Sequence, residues 1–449
     1  MARKASLSGY IELLPAERLV ELHVLDTLRE VFEAHGYGSL ETRAVETVNT
    51  LLQKGEIDKE IYAISRLQEE AGGKDAKLAL RFDNTVPFAR YVTENSGHLA
   101  FPYRRYQIQK VWRGERPQAG RFREFTQADI DIVGEGTLPT RSDVEIAVVM
   151  ARALDALQIG EFTLRVNNRK LSEGFYRAIG IADTAAVLRA VDKLEKIGPA
   201  RVARELAETA GATQEQADKS LGLAHIRTAD ASFADQVRAL IEYDDADTSL
   251  LEEGLAELTE VLNELRARTP GRAEADLSIA RGLDYYTGTV IETVLTGHED
   301  LGSICSGGRY ESLASKGKQV FPGVGLSIGV TRLLSALLDS GELAASRSVP
   351  TAVYVTLRSD EDWTRAQDVA DQLRARGIST EVALGAEKFG KQIKYADKRG
   401  IPFVWFTDSV GHHEVKDIRS GEQTPAEPDS WTPPAEELVP QIIRKTAES

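Results

Sequence analysis

Seven cations crowd the stretch YRRYQIQKVWRGERPQAGRFREF at 103–125. Arg104, Arg105, Lys110, Arg113, Arg116, Arg121 and Arg123 face only Glu115 and Glu124, a balance of 7 − 2 = +5. Arginine makes planar, two-pronged contacts with phosphate and carboxylate. Two further arginines stand apart: Arg281 opens RGLDYYTG, and Arg332 follows the glycines of PGVGLSIGVTRLL. A cation early in a helix opposes the macrodipole unless an anion is close. Gathered on one sheet, Arg113, Arg281 and Arg332 could clamp a polyphosphate. Asp83, Asp129 and Asp131 lie on neighbouring segments and could accept ammonium or imidazole N–H groups. Taken singly, each acid also reads as structural, and the basic stretch as a solvated, salt-bridged hairpin. The glycines fit neither a P-loop nor a dinucleotide fingerprint, and also read as close helix–strand packing.

The elements that must position these residues follow from periodicity. Tyr106, Ile108, Lys110 and Trp112 alternate with Gln107, Gln109, Val111 and Arg113, and Phe125 to Val133 alternates too. With a Gly/Pro-containing loop between, this predicts a long antiparallel hairpin. The spacing predicts a helix over 16–36 stopped by Gly36, a strand running into a helix at 78–92, and a helix over 141–157. Residues 184–268 are rich in Ala, Leu, Glu, Arg and Lys, which predicts helices rather than sheet. Strands return over 275–279 and 285–295, where the adjacent Tyr285 and Tyr286 should face opposite sides. The glycines of 323–329 predict a turn feeding a helix. After Pro350 a βαβαβ pattern predicts a separate α/β domain with a parallel or mostly parallel sheet and a last helix around 434–447.

Composition sets the bounds. A chain of 449 residues is too long for one core, so several domains are expected. No apolar run suits a secretion signal or the ~20 residues of a membrane span, so no membrane association and a cytoplasmic location are expected. Cys305 is the one cysteine, which excludes internal disulfides and a zinc site built on several thiolates. The net charge of −15 alone argues against a nucleic-acid partner. Screening within roughly 8 Å, however, lets a local basic patch act on its own.

Several stretches together resemble one family. KVWRGERPQAGRFREFTQADIDIVG resembles motif 2 of class II aminoacyl-tRNA synthetases in its histidyl form, and GVGLSIGVTRLLSAL resembles motif 3. RGLDYYTGTVIE and SGGRYESLA resemble two signatures of histidyl-tRNA synthetases, and LALRFDNTVPFARYV their substrate-binding strand. KRGIPFVWF and EVKDIRSGEQTP resemble the end of their anticodon-binding domain. Two positions depart: Arg43 stands where motif 1 carries proline, and Glu311-Ser312 where Asp-Gly is more usual. The related regulatory subunit of ATP phosphoribosyltransferase lacks the anticodon-binding domain and degrades RGLDYY, whereas both are intact here. Synthetases for threonine, proline or glycine are disfavoured by RGLDYYTG and ADIDIVG.

The resemblance implies an α+β catalytic domain, an antiparallel sheet flanked by helices, with a helical insertion and a C-terminal α/β anticodon-binding domain. The implied boundaries are 1–170 and 271–345 for the catalytic domain, 171–270 for the insertion and 350–449 for the anticodon-binding domain. It implies a histidine-tRNA ligase acting on histidine, ATP and histidine tRNA, with Mg²⁺ arriving on ATP, no metal site built by the protein, and a homodimer. Arg113, Arg281 and Arg332 would be catalytic and would bind ATP with Glu115 and Arg121. Arg281 would stand where other class II enzymes use a metal ion. Asp83, Thr85 and Gln127 would bind the α-amino group of histidine. Asp131 and Tyr286 would bind its ring, with Tyr285 alongside. Arg116 and Gln118 would meet the acceptor end of the tRNA. Lys388 and Lys391, on one face of a helix with Lys394 and Lys398, would meet the anticodon end; that lysine face also reads as merely solvated.

Overall fold

The alternating hairpin becomes the spine of a nine-stranded sheet in a computed structural model that describes residues 7–52, 60–66, 77–118, 120–241, 247–280 and 285–445. Its strands are β1 (Gly38–Ser39), β2 (Tyr103–Trp112), β3 (Glu124–Val133), β4 (Phe162–Asn168), β5 (Arg227–Thr228), β6 (Ala273–Asp276), β7 (Thr289–Leu295), β8 (Ser303–Tyr310) and β9 (Gly323–Gly329). They lie in the order β1-β2-β3-β9-β8-β7-β4-β6-β5. The run from β2 to β4 is antiparallel throughout, while β1 and β6 join it in parallel.

Register decides what the sheet can do. Arg105, Asp131, Gly325 and Gly308 form one row across four strands. Gln107, Asp129, Ser327 and Ser306 form the next, followed by Gln109, Gln127 and Gly329. Successive side chains of a strand point to opposite faces. Gln127, Asp129 and Asp131 therefore share one face, and Ala128, Ile130 and Ile132 are buried on the other. The helix Arg141–Leu157, buried along most of its length, covers the apolar side against β3 and β9. The sequence of β3 thus separates a core face from a polar face.

Three expectations change here. The glycines of 323–329 lie inside β9, a central strand, and the helix Val330–Asp339 starts only after them. The stretch 184–268 is mainly helical, yet Arg227–Thr228 adds a short edge strand to the sheet. Tyr285 and Tyr286 precede β7 rather than lying in it, so strand alternation does not apply to them.

The chain divides into two compact units, Met1–Ile11 with Asp26–Leu333, and Glu12–Leu25 with Leu334–Ser449. The second unit contains a five-stranded sheet in the order Thr380–Val382, Val353–Val355, Phe403–Thr407, His413–Asp417, Gln423–Pro425. The first three strands are parallel and the last two turn back antiparallel, around the fully buried Trp405. The helix expected around 434–447 is absent among the described residues. A short 3₁₀ turn, Ala435–Glu437, is followed by the strand Ile442–Arg444 paired with Leu343–Ala345. Pro440 supplies no backbone N–H and clashes with a preceding helical turn, which breaks the helical pattern there.

Candidate active site

Two adjoining pockets open on the polar face of the sheet. The first, about 130 Å³, is walled by Arg113, Glu115, Arg121, Phe125, Gln127 and Arg332. The second, about 100 Å³, is walled by Asp83, Thr85, Asp129, Asp131, Tyr285, Tyr286 and Tyr310. Arg113, Gln127, Ser306 and Ser327 border both.

The first pocket is cationic. Arg113 leaves the end of β2, where its Nε donates to the Phe82 carbonyl at 3.1 Å and its guanidinium lies 5.1 Å from the Phe125 ring centre. Glu115 stands between two cations, 3.9 Å from Arg113 and 3.7 Å from Arg121. Arg332 donates to the carbonyls of Gly120 at 2.8 Å and Ser303 at 2.9 Å, which fixes it on the pocket wall. The arrangement offers several N–H donors and a flat aromatic face, which suits a planar group attached to phosphates.

The second pocket is anionic and buried. Asp131 pairs with the fully buried Arg105 at 2.6 Å through Oδ2, and its Oδ1 accepts from the Tyr310 hydroxyl at 2.9 Å. Arg105 in turn lies over Phe88, 4.2 Å from the ring centre. Burial pushes the Asp131 carboxyl up to about 7, against the pull of Arg105 and with a further push from Asp129. Asp83 accepts the Val86 N–H at 3.1 Å, at the start of the helix Thr85–Asn95. Tyr285 donates to the Tyr286 hydroxyl at 2.8 Å, and their ring centres are 4.2 Å apart. Both tyrosines therefore reach the same pocket, contrary to the expectation of opposite faces, because the turn before β7 frees them from strand alternation.

The glycines of β9 make room for this chemistry. A Cβ on Gly325 would lie 2.1 Å from Asp131 Oδ1, and one on Gly323 would lie 2.5 Å from the Tyr310 ring. Their spacing serves the polar face of a strand, not the packing of a helix.

Of the residues singled out in the sequence, Asp83, Thr85, Arg113, Glu115, Arg121, Gln127, Asp129, Asp131, Tyr285, Tyr286 and Arg332 meet at this cleft. Arg116 and Gln118 are exposed beside it at the hairpin tip. Lys388 and Lys391 are exposed in the other unit. Arg281 and its neighbour Gly282 lie outside the described residues. The basic hairpin is less uniform than its count implies: Arg104 pairs with Glu145, Arg105 with Asp131 and Lys110 with Glu124. Arg43, in the place of the motif 1 proline, pairs at 2.8 Å with the buried Glu46, which Arg90 also holds. Sequence reasoning assigned no role to Phe125, Arg105 or Tyr310. Tyr310 was signalled by SGGRYESLA and Phe125 by its place in the alternating strand, but the neighbours that give them meaning come from distant strands.

Residues 9–333 match the family model described as histidyl-tRNA synthetase, and residues 353–438 match that of an anticodon binding domain. The chain belongs to the histidyl-tRNA synthetase family. Within that family it is 67% identical to a histidine–tRNA ligase of Micrococcus luteus over 99% of each chain. It is 56% identical to one of Cutibacterium acnes, again over 99% of each. The crystal structure of a histidyl-tRNA synthetase from a Nostoc species superposes with a TM-score of 0.82 at 37% identity, covering 96% of this chain and 98% of that one. The antiparallel sheet with flanking helices is the class II synthetase fold.

Proposed function

We propose that the chain is a histidine–tRNA ligase that activates histidine with ATP and then charges histidine tRNA. The observation that carries this reading is the shared border: Arg113 and Gln127 wall both a cationic pocket suited to ATP and an anionic pocket suited to histidine. A carboxylate entering from the second pocket meets the α-phosphate at Arg113. Its oxygen forms a bond to the α-phosphorus as the bond to the pyrophosphate oxygen breaks. The ribose hydroxyl at the 3′ end of the tRNA then attacks the carbonyl of the mixed anhydride and AMP leaves.

The protein's task is alignment and charge stabilisation. Arg113 holds the α-phosphate and Arg332 the far end of the triphosphate, with Arg121 and Glu115 near the nucleotide. Arg281 is assigned to the opposite side of the α-phosphate. Asp83, Thr85 and Gln127 take the α-amino group. Asp131, Tyr286 and Tyr285 take the ring. A site that hydrogen-bonds a polar side chain can reject analogues lacking it by roughly 10⁴–10⁵-fold without editing. Mg²⁺ would arrive on ATP, with phosphate oxygens as its ligands. Bound there, it would neutralise phosphate charge.

Arg116 and Gln118 would contact the acceptor end of the tRNA, and Lys388 and Lys391 the anticodon end. The catalytic domain would span 1–170 and 271–345, the insertion at 171–270 would clamp the acceptor arm, and 350–449 would bind the anticodon. A homodimer in the cytoplasm completes the reading; no helix among the described residues is long and apolar enough to cross a membrane. Purified protein should catalyse ATP–pyrophosphate exchange with histidine and with no other amino acid. Exchange driven by threonine, proline or glycine, or none at all from folded protein, would overturn the assignment.

A further inference from the structure

The pocket proposed for histidine holds a carboxylate with no role in the reading above. Asp129 is 3% exposed, lines that pocket, and its Oδ1 makes no hydrogen bond to any described residue. An unpartnered acceptor in a buried site costs free energy unless something donates to it. Its cross-strand neighbours leave that oxygen unmatched: the Gln107 amide donates to Thr42 at 2.9 Å and Asn84 at 3.3 Å, and Ser327, though it and Asn84 act on the carboxyl as hydrogen-bonding neighbours, gives Oδ1 no hydrogen bond. Asp131, by contrast, already has a protein partner on each oxygen.

Charge points the same way. Asp83, Asp129 and Asp131 line one pocket; the buried Arg105 offsets one of them, and Arg113, at the border with the nucleotide pocket, is the other cation at hand. Burial raises the Asp129 carboxyl and Asp83 adds to the rise, while Arg105, Ser327 and Asn84 pull it down. The pocket is therefore short of positive charge. Histidine near neutral pH carries one full cation, the α-ammonium, with three N–H donors; its ring is mostly neutral. Asp129 also has the right place. It lies on one face between Gln127, which borders the nucleotide pocket, and Asp131 at the ring end. The amino group sits between carboxylate and ring on the substrate.

We propose that Asp129 is a substrate-binding residue that, with Asp83, seats the α-ammonium of histidine. This rests on the reading that the pocket takes histidine. A hydrogen bond to a charged group contributes about 1.5–3 kcal/mol, which is roughly 10- to 100-fold in affinity.

The test compares histidine with imidazolepropionate, which keeps ring and carboxylate but lacks the amino group. Wild type and Asp129→Asn are titrated with both ligands by calorimetry, and exchange kinetics are measured with histidine. Asp129→Asn should weaken histidine roughly 10- to 100-fold and raise its KM, with kcat changed far less. It should leave imidazolepropionate binding within about threefold. Equal weakening of both ligands, or no weakening of histidine, would overturn the proposal. If Asp129→Asn fails to unfold cooperatively, Asp129→Ser and the wild type carry the test. Wild type must bind histidine more tightly than imidazolepropionate, and equal affinities would overturn the seat. Absence of histidine-dependent exchange in wild type would instead overturn the ligase reading.

Discussion

In the cationic pocket the charged side chains stand partly in water: Arg113 keeps 32% of its side chain exposed and Arg121 44%. In the adjoining pocket Asp131 is 4% exposed, and the Arg105 that pairs with it is fully buried. The same strands β2 and β3 supply both. Half-exposed arginines avoid most of the desolvation cost and can wait for a ligand that brings its own charge. An isolated buried charge is costly, so Asp131 is paired before any ligand arrives, while the unmatched oxygen of Asp129 is left for a donor on the ligand. The first lobe is suited to gripping a polyanion that many proteins bind. The second is preorganised to test one small molecule.

That contrast can be broken from either side. The largest effect is expected at the junction. Arg113→Ala should lower the exchange rate by about 10²–10³-fold, as removal of a donor to developing charge does elsewhere. Histidine binding, followed by calorimetry, should change less than about threefold. A matching loss of histidine affinity would mean the two lobes are not separable. The reverse experiment uses β9. Gly325→Ala places a Cβ 2.1 Å from Asp131 Oδ1. Overpacking of this kind costs about 1–3 kcal/mol. It should appear as a lower urea midpoint and weaker histidine binding, with ATP affinity retained.

Asp131→Asn should raise the KM for histidine about tenfold or more, given the strength of hydrogen bonds to charged groups. It should also alter the pH profile of stability. Burial raises the Asp131 carboxyl from 3.8 to about 7 in the folded chain. The folded state therefore holds a proton that the unfolded chain releases, and this contribution is present at low pH and lost as pH rises through about 7. Urea midpoints between pH 4 and 8 should show a smaller decline in Asp131→Asn than in wild type. The raised carboxyl of Asp129 contributes with the same sign and should remain. The smallest effect belongs to the other unit. Lys388→Ala with Lys391→Ala should leave exchange untouched and weaken tRNA binding. It should reduce the salt slope by about 0.7 per lost phosphate contact on single-stranded RNA.

The two lobes also differ in how far the sequence discloses them. Arg113 and Arg332 are legible because an arginine beside an aromatic at a strand end, or early in a helix, is locally anomalous. The long hairpin is legible because alternation is a local property. Arg105 has no such local mark, and Asp129 and Tyr310 stand out in the sequence without disclosing what they face. Their meaning depends on β9 lying beside β3, strands separated by nearly 190 residues, and on a register that puts Gly325 opposite Asp131. The same dependence hid the purpose of the glycines. Tyr285 and Tyr286 were misjudged because a four-residue shift in the start of β7 changes which rule governs them. The last helix failed because Pro440 outweighs a helical pattern that is otherwise adequate.

The border shared by Arg113, Gln127, Ser306 and Ser327 has a practical side. The two chambers share these four side chains as a common boundary, so one ligand that crosses it would contact both. A molecule joining an imidazole to an adenosine through a short, stiff tether loses rigid-body freedom once instead of twice. Inhibitors conceived as a single bridge across that threshold should therefore outperform a mixture of its halves, and their selectivity would come from the imidazole end, where the carboxylates are buried.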